Sequence, residues 1–191
     1  MNLTTVVGVQ GKNFCVLAAD SQITEDNLRT ISQKTPKIIA KGDYLLAITG
    51  DTRPGDILTY NWNPPTYKGQ DPIQFMGKRV IPSIIKVFNE HSYGWNDEKD
   101  KDAGFDYLLA FNGNIFHIAS DMSFIQSDSN YYGIGSGGQF ALGFMYSKQS
   151  DKLLVQDEAA DLAQRAVEVA SLLDINTCPP IQIAVQKRKV R

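Results

Sequence analysis

This 191-residue sequence predicts an α+β protein whose antiparallel sheets carry helices on their outer faces. Short apolar runs fold back on themselves through turns of a few residues, which is the signature of hairpins. Stretches of helical period lie between groups of these runs instead of alternating with them one for one.

Residues 4–10 (TTVVGVQ) and 14–20 (FCVLAAD) are β-rich and joined by Gly11-Lys12-Asn13, which reads as a hairpin. A second hairpin links 36–40 (PKIIA) to 43–49 (DYLLAIT) through Gly42. Residues 72–90 place Ile73, Met76, Val80, Ile84, Val87 and Phe88 close to helical spacing, with Pro82 expected to kink or interrupt the helix. The charged segment 95–106 (WNDEKDKDAGFD) reads as a solvated loop. Strands follow at 106–111 (DYLLAF) and 114–119 (NIFHIA), with the hairpin dipeptide Asn112-Gly113 between them. A short helix carrying Phe140, Leu142 and Met145 is expected after Gly138. The helix at 157–173 takes Asp157 as its N-cap and shows a stripe of Leu162, Ala163, Ala166, Val169, Ala170 and Leu173. A strand at 181–186 (IQIAVQ) is the last element, and the terminal KRKVR reads as a frayed solvated tail. No repeat or low-complexity linker divides the chain, so residues 4–191 are expected to form a single domain.

A formal net charge of −2 argues against a nucleic-acid or membrane surface as the main partner, and no apolar run reaches membrane-span length. The N-terminus lacks the basic segment, apolar stretch and cleavage site of a secretory signal, so a cytoplasmic location is expected. Cys15 and Cys178 both sit in apolar segments and read as buried reduced thiols; no Cys or His pair has zinc-ligand spacing.

The Thr4-Thr5 pair is the chemically suggestive feature. A hydroxyl almost at a chain start can use a free α-amino group, of pKa near ~8, as its general base, without any histidine. The two histidines, His91 and His117, are far apart. Met1, Asn2 and Leu3 stand in front of Thr4, so the amine exists only once they are removed. Taken singly, these residues have ordinary readings. Thr4 and Thr5 suit a first strand, Asp20 a turn, Lys37 a solvated edge, and Gly135, Gly137 and Gly138 a tight turn. A phosphate loop is ruled out by the lack of a lysine after GIGSGG.

Together the motifs resemble a known family. TTVVGV, LAAD ending at Asp20, SQIT, the Lys37-Ile38 pair and Ala47-Ile48-Thr49-Gly50 are similar to the opening of proteasome β subunits and of HslV-type peptidases. YGIGSGGQFALG (132–143) resembles the family's IGSGG-x-x-A motif, and AVEVASLLDINT (166–177) its helix followed by Asp-x-x-Ser, here Asp174 and Thr177. The resemblance implies an N-terminal-nucleophile hydrolase, a four-layer αββα sandwich of two stacked antiparallel sheets between helical layers. It implies Thr4 as nucleophile, Lys37 as a permanent cation beside it, Asp20 as the group holding Lys37, and the Gly50 N–H as oxyanion donor. Ser136, Asp174 and Thr177 would orient the amine. No cofactor is required for the chemistry. A structural Na or Mg ion held by the backbone carbonyls of Ser171, Asp174 and Thr177 is also implied. So are a homo-oligomeric ring, an ATPase unfoldase partner and unfolded polypeptide as substrate.

The departures from the family pattern bear on activity. Residues 1–3 read as a short extension or propeptide, and exposure of Thr4 requires cleavage at an unusual Leu3–Thr4 bond. The Asp20–Lys37 interval is one residue longer than the family norm. DTRPGD after Gly50 carries about two extra residues beside the expected cleft, and 60–70 (YNWNPPTYKGQ) is a further insertion expected to cover an interface or entrance. The leading reading is a threonine peptidase. A catalytically silent scaffold subunit and an amidohydrolase acting on a small amide are the alternatives.

Overall fold

The computed structural model describes residues 4–25, 28–31, 34–93, 104–149 and 154–189. Strands β1 (Val6–Gln10) and β2 (Phe14–Ala19) form the first hairpin. They lie at the centre of a four-stranded antiparallel sheet ordered β10-β1-β2-β11, with β10 at Tyr131–Ile134 and β11 at Gln182–Lys187. The second sheet is antiparallel and ordered β5-β6-β7-β8-β9. Its strands are Ile38–Lys41, Tyr44–Gly50, Phe105–Phe111, Asn114–Ile118 and Phe124–Ile125. Asn112 and Gly113 both take positive φ, 48° and 76°, as the predicted β7–β8 turn requires.

The alternation of side chains along the strands builds the layers. Val6, Cys15, Leu17 and Ala19 point inward to meet Leu45, Ala47, Leu108, Ala110 and Ile115 of the facing sheet. Val7, Val9, Val16 and Ala18 point outward, under α4 (Gly138–Ser147) and α5 (Gln156–Leu173). On the other side Tyr44, Leu46, Tyr107, Leu109, Phe111 and Phe116 face α1 (Thr52–Asn61), α2 (Pro72–Phe75) and α3 (Ile81–Glu90). Three apolar seams between four layers are the predicted αββα sandwich. Each fully buried Leu or Phe along them contributes roughly 1.5–3 kcal/mol. No helix among the described residues is long and apolar enough to cross a membrane.

Several local expectations are corrected. The 72–90 helix is not broken at Pro82; it widens one turn earlier, into a π-helical stretch over Met76–Val80 in which the Ile81 N–H reaches the Met76 carbonyl. That wider turn sits where Pro82 can supply no N–H and would crowd the preceding turn. Asp157 is not the N-cap of α5. Val155 occupies that position, and its N–H is held by Glu158 Oε2 at 3.1 Å. The buried stripe of α5 substitutes Ala159 and Val167 for Val169, which is half-buried, and Leu173, which is 60% exposed. In α4 the inner face is Gly138, Ala141 and Met145, with Phe140 44% exposed.

DTRPGD borders the cleft as expected, but as the opening of α1, which begins at Thr52, and not as a loop. The 60–70 segment is anchored by two side chains, Trp62 buried against Tyr44 and Tyr67 half-buried against Phe75 and Phe111, while most of its other residues are exposed. Phe105 and Asp106 start β7, and 95–103 lie outside the described residues. The basic tail is partly tied down: Lys187 ends β11, Arg188 N–H bonds the Asn13 carbonyl and Lys189 pairs with Asp43 at 2.6 Å. Cys15 is buried, as expected, but Cys178 is only half-buried, with the Arg29 guanidinium against its sulfur; both are free thiols. A further hairpin, β3 (Gln22–Glu25) with β4 (Leu28–Ile31), has no counterpart in the sequence-based expectation.

Candidate active site

Thr4 and Thr5 lead into β1, and four other chain segments converge on them. The end of β2 supplies Asp20, the approach to β5 supplies Lys37, the β10–α4 turn supplies Ser136, and the chain after α5 supplies Asp174 and Thr177. Lys37 Nζ donates to Thr4 Oγ1 and to Asp20 Oδ1, both at 2.7 Å. The β3–β4 hairpin lies between Asp20 and Lys37 in sequence, and the ion pair between them forms at 2.7 Å.

Asp20 is fully buried and satisfied on both oxygens. Oδ1 accepts from Lys37 and the Thr5 N–H (3.1 Å); Oδ2 accepts from the N–H groups of Gln22 (2.9 Å) and Cys178 (3.2 Å). A carboxylate held by three backbone donors is a fixed anchor for one ammonium. Burial pushes the Lys37 amine below its ordinary value of 10.5, against the opposing effects of Asp20's charge and hydrogen bond and of Asp174's charge. The expectation of a permanent cation is thereby softened: Lys37 is a cation whose proton is less tightly held than that of a solvated lysine.

On the other side of Thr4, its N–H donates to Ser136 Oγ at 3.3 Å. Ser136 has one proton, and the 2.7 Å contact to Asp174 Oδ2 takes it. Thr177 donates to the same carboxylate oxygen at 2.6 Å, so at the 2.6 Å contact between Thr177 and Thr5 it is Thr5 Oγ1 that donates. The chain Thr4 N–H, Ser136, Asp174 is therefore polarised away from Thr4, which suits it to hold an amine at that position.

Gly50, with φ of 89°, ends β6. The Ile48 N–H bonds the Lys37 carbonyl, and strand alternation turns the Gly50 N–H to the same side, where Gly50 lines a cleft of about 450 Å³ that also includes Thr4 and Lys37. Of the residues implied to hold a cation, Ser171 sits in the last turns of α5 and the Asp174 carbonyl already accepts the Thr177 N–H at 3.1 Å. One acceptor direction is left on that carbonyl. Leu3 lies outside the described residues.

Sequence reasoning assigned no role to Thr5 beyond strand formation, and missed Gln182 entirely; its Oε1 accepts the Lys37 N–H at 2.9 Å and fixes that backbone. It also left the glycines of the turn as mere turn residues. A Cβ on Gly135 would lie 2.0 Å from the Thr4 carbonyl, and one on Gly137 2.0 Å from Thr5 Oγ1 and 2.9 Å from Thr177 Oγ1. These glycines exist so that the turn can touch the threonines. Gly137→Ala is therefore expected to destabilise the fold by about 1–3 kcal/mol in chemical denaturation, since backbone or Thr5 must shift. An unchanged unfolding midpoint would show that the turn has slack.

Two stacked sheets between helical layers, with a threonine at the head of a central strand, define the N-terminal-nucleophile hydrolase fold. No family model matches the chain. It is 29% identical to proteasome subunit beta 2 of Pyrococcus furiosus over 187 residues, covering 91% of this chain and 82% of that protein. It is 23% identical to the ATP-dependent protease subunit HslV of Caldicellulosiruptor saccharolyticus over 180 residues, covering 91% and 93%. Among solved structures, Thiobacillus denitrificans BPH superposes with TM-scores of 0.75 alone and 0.76 in complex with epoxomicin. Its identities to this chain are 25% and 24%, over 97% of this chain and nearly all of that one. In sequence and in fold this chain is similar to proteasome β and HslV-type subunits.

Proposed function

We propose that the chain is a threonine-type peptidase subunit, with residues 1–3 a short propeptide whose removal exposes Thr4 at the head of a single domain. The observation that carries this reading is Lys37 Nζ at 2.7 Å from both Thr4 Oγ1 and Asp20 Oδ1. The similarity to a proteasome β subunit, to an ATP-dependent protease subunit and to a fold captured with epoxomicin supports it.

In the proposed reaction Thr4 Oγ1 adds to a peptide carbonyl, and its proton passes to the Thr4 amine. Lys37 stabilises the developing alkoxide, and the Gly50 N–H takes the oxyanion, a donor of a kind typically worth ~3–4 kcal/mol. The tetrahedral centre collapses by breaking its C–N bond, the Thr4 ammonium protonating the departing amine. Water, deprotonated by the same amine, then hydrolyses the ester left on Thr4. Ser136, with Asp174 and Thr177 behind it, holds the amine in place throughout. Release of residues 1–3 uses the same hydroxyl: Thr4 Oγ1 adds to the Leu3 carbonyl, the Leu3–Thr4 C–N bond breaks as the Thr4 nitrogen takes up the hydroxyl's proton, and water hydrolyses the resulting ester to free the amine. The substrates are unfolded polypeptides, the working assembly is a homo-oligomeric ring, and an ATPase unfoldase feeds it.

Intact mass tests the reading. Wild-type protein is expected to lack Met1, Asn2 and Leu3, while Thr4→Ala retains them. If both keep all three, the Thr4 nitrogen stays acylated, the base is missing, and a subunit using the fold without the chemistry becomes the better account.

A further inference from the structure

Lys37 must stand within bonding reach of Thr4 Oγ1 and Asp20 Oδ1 at once, yet its backbone belongs to the other sheet. Asp20 follows β2 in the first sheet, and Lys37 precedes β5, an edge strand of the second. The three residues before Lys37, Lys34, Thr35 and Pro36, are exposed, and Pro36 has no N–H to give. The ion pair does not by itself fix where the Lys37 backbone sits. An ammonium on a flexible four-carbon stem can follow one carboxylate over a range of backbone positions.

The bridge between the two backbones is Gln182, at the start of β11. Its main chain pairs with Ala19, the residue before Asp20, and its side chain crosses toward the second sheet. Oε1 accepts the N–H of Lys37 at 2.9 Å and that of Ile38 at 3.4 Å; Nε2 donates to Ser21 Oγ at 3.0 Å. A backbone N–H can only donate, so the orientation of the amide is fixed. Ser21 follows Asp20, is 1% exposed, and has its own N–H held by the Cys178 carbonyl at 3.0 Å. Gln182 therefore grips both neighbours of Asp20 while holding the Lys37 backbone. The Lys37 carbonyl is taken from the opposite side, by the Ile48 N–H of β6 at 3.3 Å. Both polar groups of the Lys37 main chain are thus tied, one to each sheet.

Gln182 does not line the cleft beside Thr4; it lines a separate groove with Pro36, Ile38 and Pro180. A change there reaches the reaction through the placement of Lys37 and leaves the substrate's surroundings alone.

We propose that Gln182, hooked to Ser21, is a positioning residue that sets the distance between the Asp20 and Lys37 backbones and so holds the Lys37 ammonium on Thr4 Oγ1. The proposal rests on the peptidase reading above and adds to it the strut on which its cation depends. Loss of the strut leaves the charge present but misplaced, and misplacement by about 1 Å can cost up to about a hundredfold in rate.

Gln182→Met keeps the reach of the side chain and removes both bonding groups. With a fluorogenic peptide amide, kcat is expected to fall about tenfold while KM stays within about twofold of wild type. Ser21→Ala unhooks the other end and is expected to lower kcat about threefold, with no further loss when added to Gln182→Met, because the two residues act as one unit. A kcat for Gln182→Met within about threefold of wild type, a change carried by KM, or single losses that multiply in the double variant overturns the proposal. Should Gln182→Met not fold, Ser21→Ala decides alone, an unchanged kcat overturning it. If wild-type protein cleaves no peptide, the peptidase reading fails, and the placement of Lys37 is read directly from the rate at which acetic anhydride labels its amine, followed by peptide mass spectrometry. The Lys37 side chain is 11% exposed, and Lys41, on β5 with its amine bonded to the Thr59 carbonyl, serves as the internal reference. Lys37 labelled about fivefold faster relative to Lys41 in Gln182→Met upholds the strut; an unchanged ratio overturns it.

Discussion

Thr4→Ala is expected to give a folded protein whose peptide hydrolysis is down by at least ~10⁴-fold. The size of the effect follows from the absence of a substitute. Thr5 Oγ1 is the nearest hydroxyl in sequence, but it is fully buried and its proton is given to Thr177. The Ser136 hydroxyl is spent on Asp174. Neither can take over the attack. The cost to the fold is small, because Thr4 loses one contact, with Lys37, and Lys37 keeps Asp20. That is about 1 kcal/mol, or ~2–4 °C in thermal midpoint for a chain of this size. Peptide turnover and thermal unfolding measured side by side check it. Turnover retained in Thr4→Ala removes Thr4 as nucleophile; turnover lost together with the cooperative unfolding transition makes Thr4 structural instead.

The hairpins were legible because their signals are local. Asn112-Gly113 and Gly42 force turns, and the flanking runs supply strands of matching length. The motif positions were legible for a different reason: Thr4, Asp20, Lys37, Ser136, Asp174 and Thr177 stand in motifs similar to those of proteasome β and HslV-type chains. What the sequence hid is what depends on tertiary contact. Helix α1 carries Pro54 and Gly55, residues that weaken helices, yet it forms because Ile57 and Leu58 bury themselves against the second sheet. The α5 stripe was misphased because Leu173 looks like core at helical spacing, while the helix has already run past the sheet by that turn. Gln182 gave no signal, and Gln22 none beyond its place in SQIT. A glutamine's role is set entirely by what reaches it: the Lys37 backbone for one, the Ile175 carbonyl for the other.

Lys37→Met should carry the second large effect, a loss of ~10³-fold or more in kcat/KM with the chain still folded. Methionine keeps the length of the side chain and removes the charge from beside Thr4 Oγ1. It also strips the fully buried Asp20 of its cation, which ordinarily costs about 3–5 kcal/mol. The N–H groups of Thr5, Gln22 and Cys178 still hold that carboxylate, so the cost should fall at the lower end and leave a measurable unfolding transition. The pH dependence separates catalysis from structure. Burial lowers the folded-state pKa of Lys37 below the 10.5 of an unfolded chain. In the window between the lowered value and 10.5 the unfolded chain binds more protons than the folded one, so wild-type stability rises with pH there. Activity, which needs the Lys37 ammonium beside Thr4 Oγ1, falls across the same window. Opposite slopes of rate and stability are thus expected in the wild type, and Lys37→Met should show neither. Measuring kcat/KM and the unfolding midpoint from about pH 7 to 11 tests this. A rate loss under about tenfold, or a wild-type alkaline limb that persists in Lys37→Met, would reduce Lys37 to a structural partner of Asp20 and leave the activation of Thr4 to its own amine.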